Sequence, residues 1–391
     1  MPRPAPSAAA TAPTSLYVHV PFCVVKCGYC DFNSYVVEDR SVHDTFLEAL
    51  ERELAASWRG APPVSVFIGG GTPSLLDPAR LERLLQILAR HVDLKDAPEV
   101  SMEANPESLT EEKAAIARAH GVRRLSMGVQ SFHPHHLRFL DRAHSGERAE
   151  QAFAEARAAG FDNLSVDMMF GLPGETFDEW RADLERAIAL RPDHVSAYNL
   201  TFEPGTRLHR DMQRGEVEPN EQEVDRAMFE FTRSRLAEAG FDAYEISNFA
   251  GPGGPCRHND HYWLQGDYVG IGPGASSHRQ GVRTTNSKPI ESWAKAALAG
   301  LPPSASAETL RPRQRAAEAL WLGIRRRDGV DVAAVEARLD LPVREWFGAL
   351  LDEQQRQGLV RWDGACLRLT GDGLLVADRV GGEYLAIGVD R

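Results

Sequence analysis

The sequence predicts an α/β fold in which six strand–helix repeats precede a smaller helical domain with a β wing. Three observations carry this. Short β-rich runs alternate with long amphipathic segments from residue 16 to about 240, polar or glycine-rich segments follow five successive strand candidates, and the pattern changes after about residue 308. The 391 residues leave room for two or three domains. With 43% apolar and 26% charged residues the composition is that of an ordinary globular chain. No stretch approaches about 18 consecutive apolar residues, so no transmembrane segment is expected.

Residues 1–15 are rich in Pro, Ala and Ser, with Arg3 as the one charge. They lack the apolar core of a signal peptide and the repeated arginines of a transit peptide, and they read as a flexible tail. The strand candidates are 16–20, 64–68, 100–103, 124–128, 164–168 and 194–200. Between them Asp77 before Pro78 and Thr110 before Glu111 and Glu112 mark helix starts, and Gly121, Gly160 and Gly240 mark helix ends. Strict alternation means parallel strands joined by helical crossovers, in an open doubly wound sheet or a barrel, whole or partial. In either case chemistry gathers at the carboxyl ends of the strands.

After this unit, residues 16–240, the stretch 241–308 reads as an aromatic, glycine-rich extension ending in a linker at 302–308. Residues 309–391 read as a winged-helix-like domain: helices near 313–324, 332–339 and 344–357, short strands at 359–362 and 366–369, and a last helix after Thr370. Such folds often bind DNA. Here residues 328–391 hold seven arginines, no lysine and twelve acidic residues, and the whole chain carries a net charge of −12. Phosphate binding needs a cationic face, so a structural or docking role is expected and no nucleic-acid partner.

Three of the five cysteines, Cys23, Cys27 and Cys30, fall within eight residues as C-x3-C-x2-C. This is no disulfide framework, and a reducing, cytoplasmic location fits it. Three thiolates at this spacing can each ligate one iron of a [4Fe–4S] cubane and leave the fourth iron open. Zinc is the alternative, but structural zinc sites close with four ligands and no fourth lies nearby. An open iron suits a bidentate ligand, and the amino and carboxylate groups of S-adenosylmethionine (SAM) form such a chelate. The run Gly69-Gly70-Gly71 would then let backbone N–H groups face a carboxylate, with Thr72 adding a hydroxyl. Glu103 and Asp167, at strand ends, would take ribose hydroxyls, an ammonium or the sulfonium. Gln130 and Arg142 offer donors at the same rim, and Tyr29 can lie against adenine or cluster.

These residues resemble the radical SAM superfamily and, more narrowly, the oxygen-independent coproporphyrinogen III oxidase family. The resemblance covers about residues 16–380. Its motifs are Tyr17-Val18-His19-Val20-Pro21-Phe22-Cys23, Gly69 through Ser74, Gly128-Val129-Gln130-Ser131-Phe132 and Asp167 through Pro173. It implies a partial six-stranded, TIM-like (β/α)6 barrel with a helical and winged C-terminal part. It also implies a cluster on Cys23, Cys27 and Cys30, and a SAM site at Tyr17, Tyr29, Gly71, Thr72, Glu103, Gln130, Arg142 and Asp167.

Two departures place the chain within that family. The oxidase proper has a fourth cysteine two positions after the third, where Phe32 stands here, and a longer N-terminal segment. In addition, Arg257-His258-Asn259-Asp260-His261-Tyr262-Trp263 resembles the His-Asn-x-x-Tyr-Trp signature of the heme chaperone branch, the HemW proteins. The resemblance therefore implies a chaperone that binds heme and passes it to acceptor hemoproteins, membrane-bound respiratory enzymes among them, with a reducing electron donor and without coproporphyrinogen III oxidase activity. The alternative is an oxygen-independent coproporphyrinogen III dehydrogenase, a radical SAM oxidative decarboxylation, and radical methylation is a third use of the scaffold. No catalytic residue is assigned. His258 is the candidate axial ligand of heme, with Tyr262 and Trp263 able to cover a porphyrin face and His261 and Cys256 close enough to compete.

Anaerobically reconstituted protein is expected to carry about four irons and four sulfides per chain, with a broad charge-transfer band that dithionite bleaches. Cys23→Ala, Cys27→Ala or Cys30→Ala should each abolish it. Tightly held zinc without iron after anaerobic purification would overturn the cluster reading.

Overall fold

Each of the six strand candidates forms a strand, and four of the six α-helices described between them begin at a side-chain cap. The structure is a computed structural model that describes residues 14–58 and 62–389. The strands are β1 (Thr14–Val20), β2 (Val66–Gly70), β3 (Val100–Ala104), β4 (Arg124–Gln130), β5 (Leu164–Phe170) and β6 (His194–Asn199). They pair in parallel in that order. Asp77 and Thr110 accept the backbone N–H of Arg80 and Lys113, capping helices Pro78–His91 and Glu111–Ala119. Thr176 and Glu179 form a reciprocal capping box on helix Phe177–Ala189, which buries Trp180 against β5. Of the expected tail, residues 1–13 lie outside the described residues. Thr14 and Ser15 open β1 instead, because Ser15 Oγ meets Ser65 Oγ at 2.8 Å in the interior.

The extension is not a loose appendage. It supplies β7 (Asp242–Ala243), β8 (Asn248–Ala250), β9 (Asp267–Ile271), β10 (Ser276–Arg279), β11 (Val282–Asn286) and β12 (Ser304–Thr309). All join one twelve-stranded sheet in the order β12-β11-β10-β9-β1-β2-β3-β4-β5-β6-β8-β7. β9 runs parallel to β1, so seven parallel strands form the wall of a partial barrel. The stretch read as a linker is largely the edge strand β12, whose residues are all exposed. Its Ser-Ala-Ser-Ala composition has neither the alternation nor the β-branched content by which a strand is recognised.

The C-terminal part has its own apolar core around Leu320, Val332, Phe347, Leu351 and Tyr384. Helices Pro312–Ile324, Val332–Leu339 and Val343–Arg356 precede the hairpin of β14 (Val360–Trp362) and β15 (Cys366–Leu369). A two-residue strand, β13 (Val330–Asp331), pairs with β15 and completes the wing; its brevity hides it in the sequence. No helix among the described residues is long and apolar enough to cross a membrane.

One buried carboxylate ties the extension to the barrel. Glu53, on helix Ser41–Ser57, accepts hydrogen bonds from Gly272 N at 2.9 Å, Asn286 Nδ2 at 2.6 Å and Trp293 Nε1 at 2.8 Å. Burial outweighs these donors and pushes Glu53 up to about 7. A carboxyl raised from an unfolded value near 4.5 stabilises the fold at low pH, and that contribution is lost as the pH climbs to about 7. The stability of the wild type should therefore fall between pH 5 and 8 in urea titrations. Glu53→Gln should show a fall smaller by roughly 3 kcal/mol. An equal fall in both proteins would show that Glu53 does not titrate in this range.

Candidate functional site

The carboxyl ends of the parallel strands surround a cleft of about 420 Å³, within the usual range of small-molecule sites. It collects Cys23, Cys27, Cys30, Tyr29, Gly71, Thr72, Glu103, Gln130, Arg142 and Asp167. Ten residues spread over 145 positions of chain thus share one cavity, as the strand-end argument requires.

The cysteines lie on a loop that leaves β1 and forms no helix or strand of its own. All three thiols are free. Cys23 Sγ lies 3.6 Å from Thr72 Oγ1, and Cys27 Sγ lies 3.9 Å from the Asp141 carbonyl oxygen. Burial raises the Cys27 thiol, opposed by the Arg142 guanidinium, and pushes Cys30 up to about 11. Thiols so placed are protonated when alone, and binding a metal there would release their protons. The loop is held from outside. Asp141 Oδ2 accepts from Gly28 N at 2.9 Å and from Arg207 at 2.6 Å, and Gly28 O accepts from Leu208 N at 2.9 Å. Lys26 donates to Phe32 O and Ser34 Oγ, and Asn33 Nδ2 donates to the Pro273 and Lys288 carbonyls.

The glycine run works differently from the expectation. Gly71 N donates to Val20 O and Thr72 N to Phe22 O, while Gly70 N donates to Glu103 Oε2. These N–H groups are spent inside the protein and none is left to cradle a ligand carboxylate. Glycine is needed for close approach instead: a Cβ on Gly71 would lie 2.7 Å from the Val20 and Phe22 carbonyl oxygens. The run therefore seats the entry of the cysteine loop against β2.

Deeper in the cleft stand two carboxylates. Glu103, on β3, is pushed up to about 7 by burial, with the Asp167 charge adding and the Gly70 N–H opposing. Asp167, on β5, accepts from Ser126 Oγ at 3.0 Å and Ser165 Oγ at 3.2 Å, and burial raises it too. A cationic ligand would favour the charged form of both. Beside them β4 bulges between Gly128 and Gln130, and Gln130 takes a left-handed φ of 68°. Such a conformation costs on the order of 1–3 kcal/mol in a residue other than glycine and recurs where a side chain must be aimed. A Cβ on Gly128 would lie 2.8 Å from Asn105 Oδ1 and 3.3 Å from Arg142, which close over that strand. Arg142 donates to Gly128 O at 2.6 Å and Asn105 Oδ1 at 2.9 Å, yet its buried Nε has no partner. Three thiols lining one cleft, an unpartnered guanidinium nitrogen and two raised carboxylates fit a cluster bound together with a small cationic amino acid.

Two expected site residues lie elsewhere. Tyr17 does not line this cleft: its hydroxyl bonds His19 Nδ1 at 2.9 Å, its ring stacks on Phe67, and it borders a second cleft with Tyr262 and Tyr268. His258 lies at the opposite, amino end of the strands and is 1% exposed. Its Nδ1 pairs with Ser65 Oγ at 2.8 Å and its Nε2 with Tyr262 OH at 2.9 Å, so neither ring nitrogen is free for heme iron. Burial lowers it to about 3, a neutral imidazole at any ordinary pH. The motif builds a plug: Glu99 accepts from Arg257 N at 2.9 Å and His258 N at 3.2 Å, capping helix Arg257–Trp263. That helix also docks the C-terminal domain, through an Asp260–Arg326 ion pair of 2.6 Å and Arg325 over the Trp263 ring. The sequence reading missed Asn105 and Asp141. Asn105 stood in a polar strand-end segment and was open to discovery, whereas Asp141 follows a helix end with no signal of its own.

Residues 17–187 match the Radical SAM superfamily and residues 310–376 match the HemN C-terminal domain. "Heme chaperone HemW" of Mycobacterium tuberculosis is 42% identical over 373 residues, 94% of each chain. The protein of the same name from Bacillus subtilis is 34% identical over 375 residues, 95% of this chain and 99% of that one. Among solved structures, coproporphyrinogen III oxidase (HemN) from Escherichia coli superposes with a TM-score of 0.83 at 25% identity, covering 96% of this chain and 90% of that one.

Asp141→Ala should leave the Gly28 N–H without its acceptor and loosen the cysteine loop by roughly 1–3 kcal/mol. The expected result is faster loss of cluster iron to a chelator, with the barrel's far-UV dichroism unchanged. Iron loss at the wild-type rate would show that the Asp141 anchor is dispensable.

Proposed function

We propose, from the premise that the chain belongs to the radical SAM superfamily and within it to the family of HemW heme chaperones, that it binds heme and delivers it to acceptor hemoproteins. The observation that carries this reading is similarity over nearly the whole of both chains to proteins named as heme chaperones, together with a site in which the cysteine loop has no fourth thiol. Phe32, where the oxidase family carries that cysteine, lines the cleft and is 58% exposed. With Val24 and Val25, also exposed, it gives the mouth of the cleft an apolar rim suited to a flat, largely apolar macrocycle.

In this reading Cys23, Cys27 and Cys30 hold a [4Fe–4S] cluster, and Glu103, Asp167, Gln130 and Arg142 hold SAM beside it. The cluster supplies a one-electron store and an open iron position for an amino-acid chelate. Glu103 and Asp167 balance the ammonium and sulfonium charges, Arg142 lines the cleft with an unpartnered Nε, and Thr72 fixes Cys23 from the side. The C-x3-C-x2-C spacing, which is no disulfide framework, fits a cytoplasmic location and a reducing electron donor. Heme iron takes a ligand other than His258, whose role is to close the barrel floor.

The test loads anaerobically reconstituted full-length protein with hemin and mixes it with an apo-hemoprotein, following the Soret band. A saturable spectrum near one heme per chain, followed by transfer to the acceptor, is expected. His258→Ala should bind heme with the wild-type spectrum but unfold at lower temperature. In parallel, coproporphyrinogen III, dithionite and SAM should give no protoporphyrinogen IX. Catalytic turnover in that assay, or the absence of heme binding, would overturn the chaperone reading.

A further inference from the structure

Helix Pro134–Phe139 follows the β4 bulge, and helix Phe177–Ala189 follows β5. Between their first turns, outside the cleft, three side chains converge. His135 Nε2 lies 3.0 Å from Glu179 Oε1 and His136 Nε2 lies 3.8 Å from Glu179 Oε2. The two imidazole centroids are 4.0 Å apart. One ligand-capable atom from each of His135, His136 and Glu179 lies within 4.8 Å of the others.

Two features separate this cluster from a chance meeting of polar side chains. His136 is 3% exposed, yet no hydrogen-bond partner reaches its Nε2, and a buried polar nitrogen left bare is uncommon and costly. The close approach of His135 to Glu179 Oε1 leaves this nitrogen unexplained. Glu179 is also prepositioned, because its Oε2 accepts from Thr176 N at 2.9 Å and Thr176 Oγ1 at 2.7 Å. The remaining neighbour, His133, is occupied: its Nε2 bonds the Glu179 carbonyl at 3.2 Å and lies 3.6 Å from Asp183 Oδ1. Half-exposed His135 gives solvent access to the group.

We propose that His135, His136 and Glu179 form a binding site for a divalent transition-metal ion of the zinc class, with water completing the coordination. Two imidazoles and one carboxylate suit zinc and its neighbours, whereas Mg²⁺ and Ca²⁺ require sets of oxygen ligands. An ion there would staple the helix after β4 to the helix after β5. The segment it fixes runs directly into Asp141 and Arg142, the residues that clamp the cysteine loop and close the cleft. Metal occupancy would thus stiffen the wall of the main site without touching it.

The test uses the full chain carrying its cluster, titrated anaerobically with zinc chloride by calorimetry while bound iron and the cluster's visible band are followed. One zinc per chain is expected, with iron and band unchanged. His135→Ala, at an exposed position, and the more conservative His136→Gln should each weaken zinc binding by at least about a hundredfold, the upper end of what losing an outer-shell partner costs a metal site. Both variants should retain wild-type iron content. No zinc uptake, uptake only as iron is lost, or undiminished binding in both variants would overturn the proposal.

Discussion

The segment from Cys23 to Cys30 has no secondary structure of its own, so the position of its three thiols is imposed by the elements around it. Two contacts dominate. At the entry, glycines at 69–71 bring β2 so close that Gly71 and Thr72 donate their N–H groups to Val20 and Phe22. At the far side, one carboxylate, Asp141, joins the loop at Gly28 to helix Arg207–Gln213 through Arg207. Together they hold three thiols on a loop without secondary structure in one arrangement, the preorganisation that a metal centre there would use.

The same barrel handles polar groups in opposite ways at its two ends. At the carboxyl end the carboxylates of Glu103 and Asp167 are raised by burial and the Arg142 Nε is left bare, a set of unmet demands that a ligand can satisfy. At the amino end the polar groups are largely paired with one another. Glu99 caps helix Arg257–Trp263, and His258 joins Ser65 to Tyr262. His194 joins Ser165 to Tyr244, with Arg124 alongside. A buried histidine bonded on both sides is a structural element, whereas His136 has a bare nitrogen beside two further ligand-capable side chains. This distinction separates His258 from His136.

The extension and the C-terminal domain are bound to the barrel through the plug and Glu53. Helix Arg257–Trp263 faces the barrel interior with His258 and the C-terminal domain with Asp260 and Trp263. Arg283 on β11 pairs with Glu318 of helix Pro312–Ile324 at 2.6 Å, adding a second link. Through these contacts the extension, by way of helix Arg257–Trp263 and β11, holds the second domain in place.

By itself the sequence determined the six βα repeats, the end of the sheet at which chemistry gathers and the thiol set, because parallel strands and amphipathic helices leave periodic local signatures and C-x3-C-x2-C is a local spacing. It also pointed to Glu103, Asp167 and Gln130 as lining the cleft, since strand ends are legible once strands are, whereas Arg142, beyond the helix after β4, came from the family resemblance. Tertiary structure alone decided what each polar group meets. The glycine N–H groups face backbone carbonyls and the Glu103 carboxylate, Tyr17 turns to Phe67 and His19, and both nitrogens of His258 are taken by residues 193 and 4 positions away. The strands β9 to β12 escaped notice because they are short and carry no sustained apolar alternation, and Asp141 because a single anchoring carboxylate has no pattern. A residue's type sets what it can bond, while its partner is fixed only when distant segments are brought together.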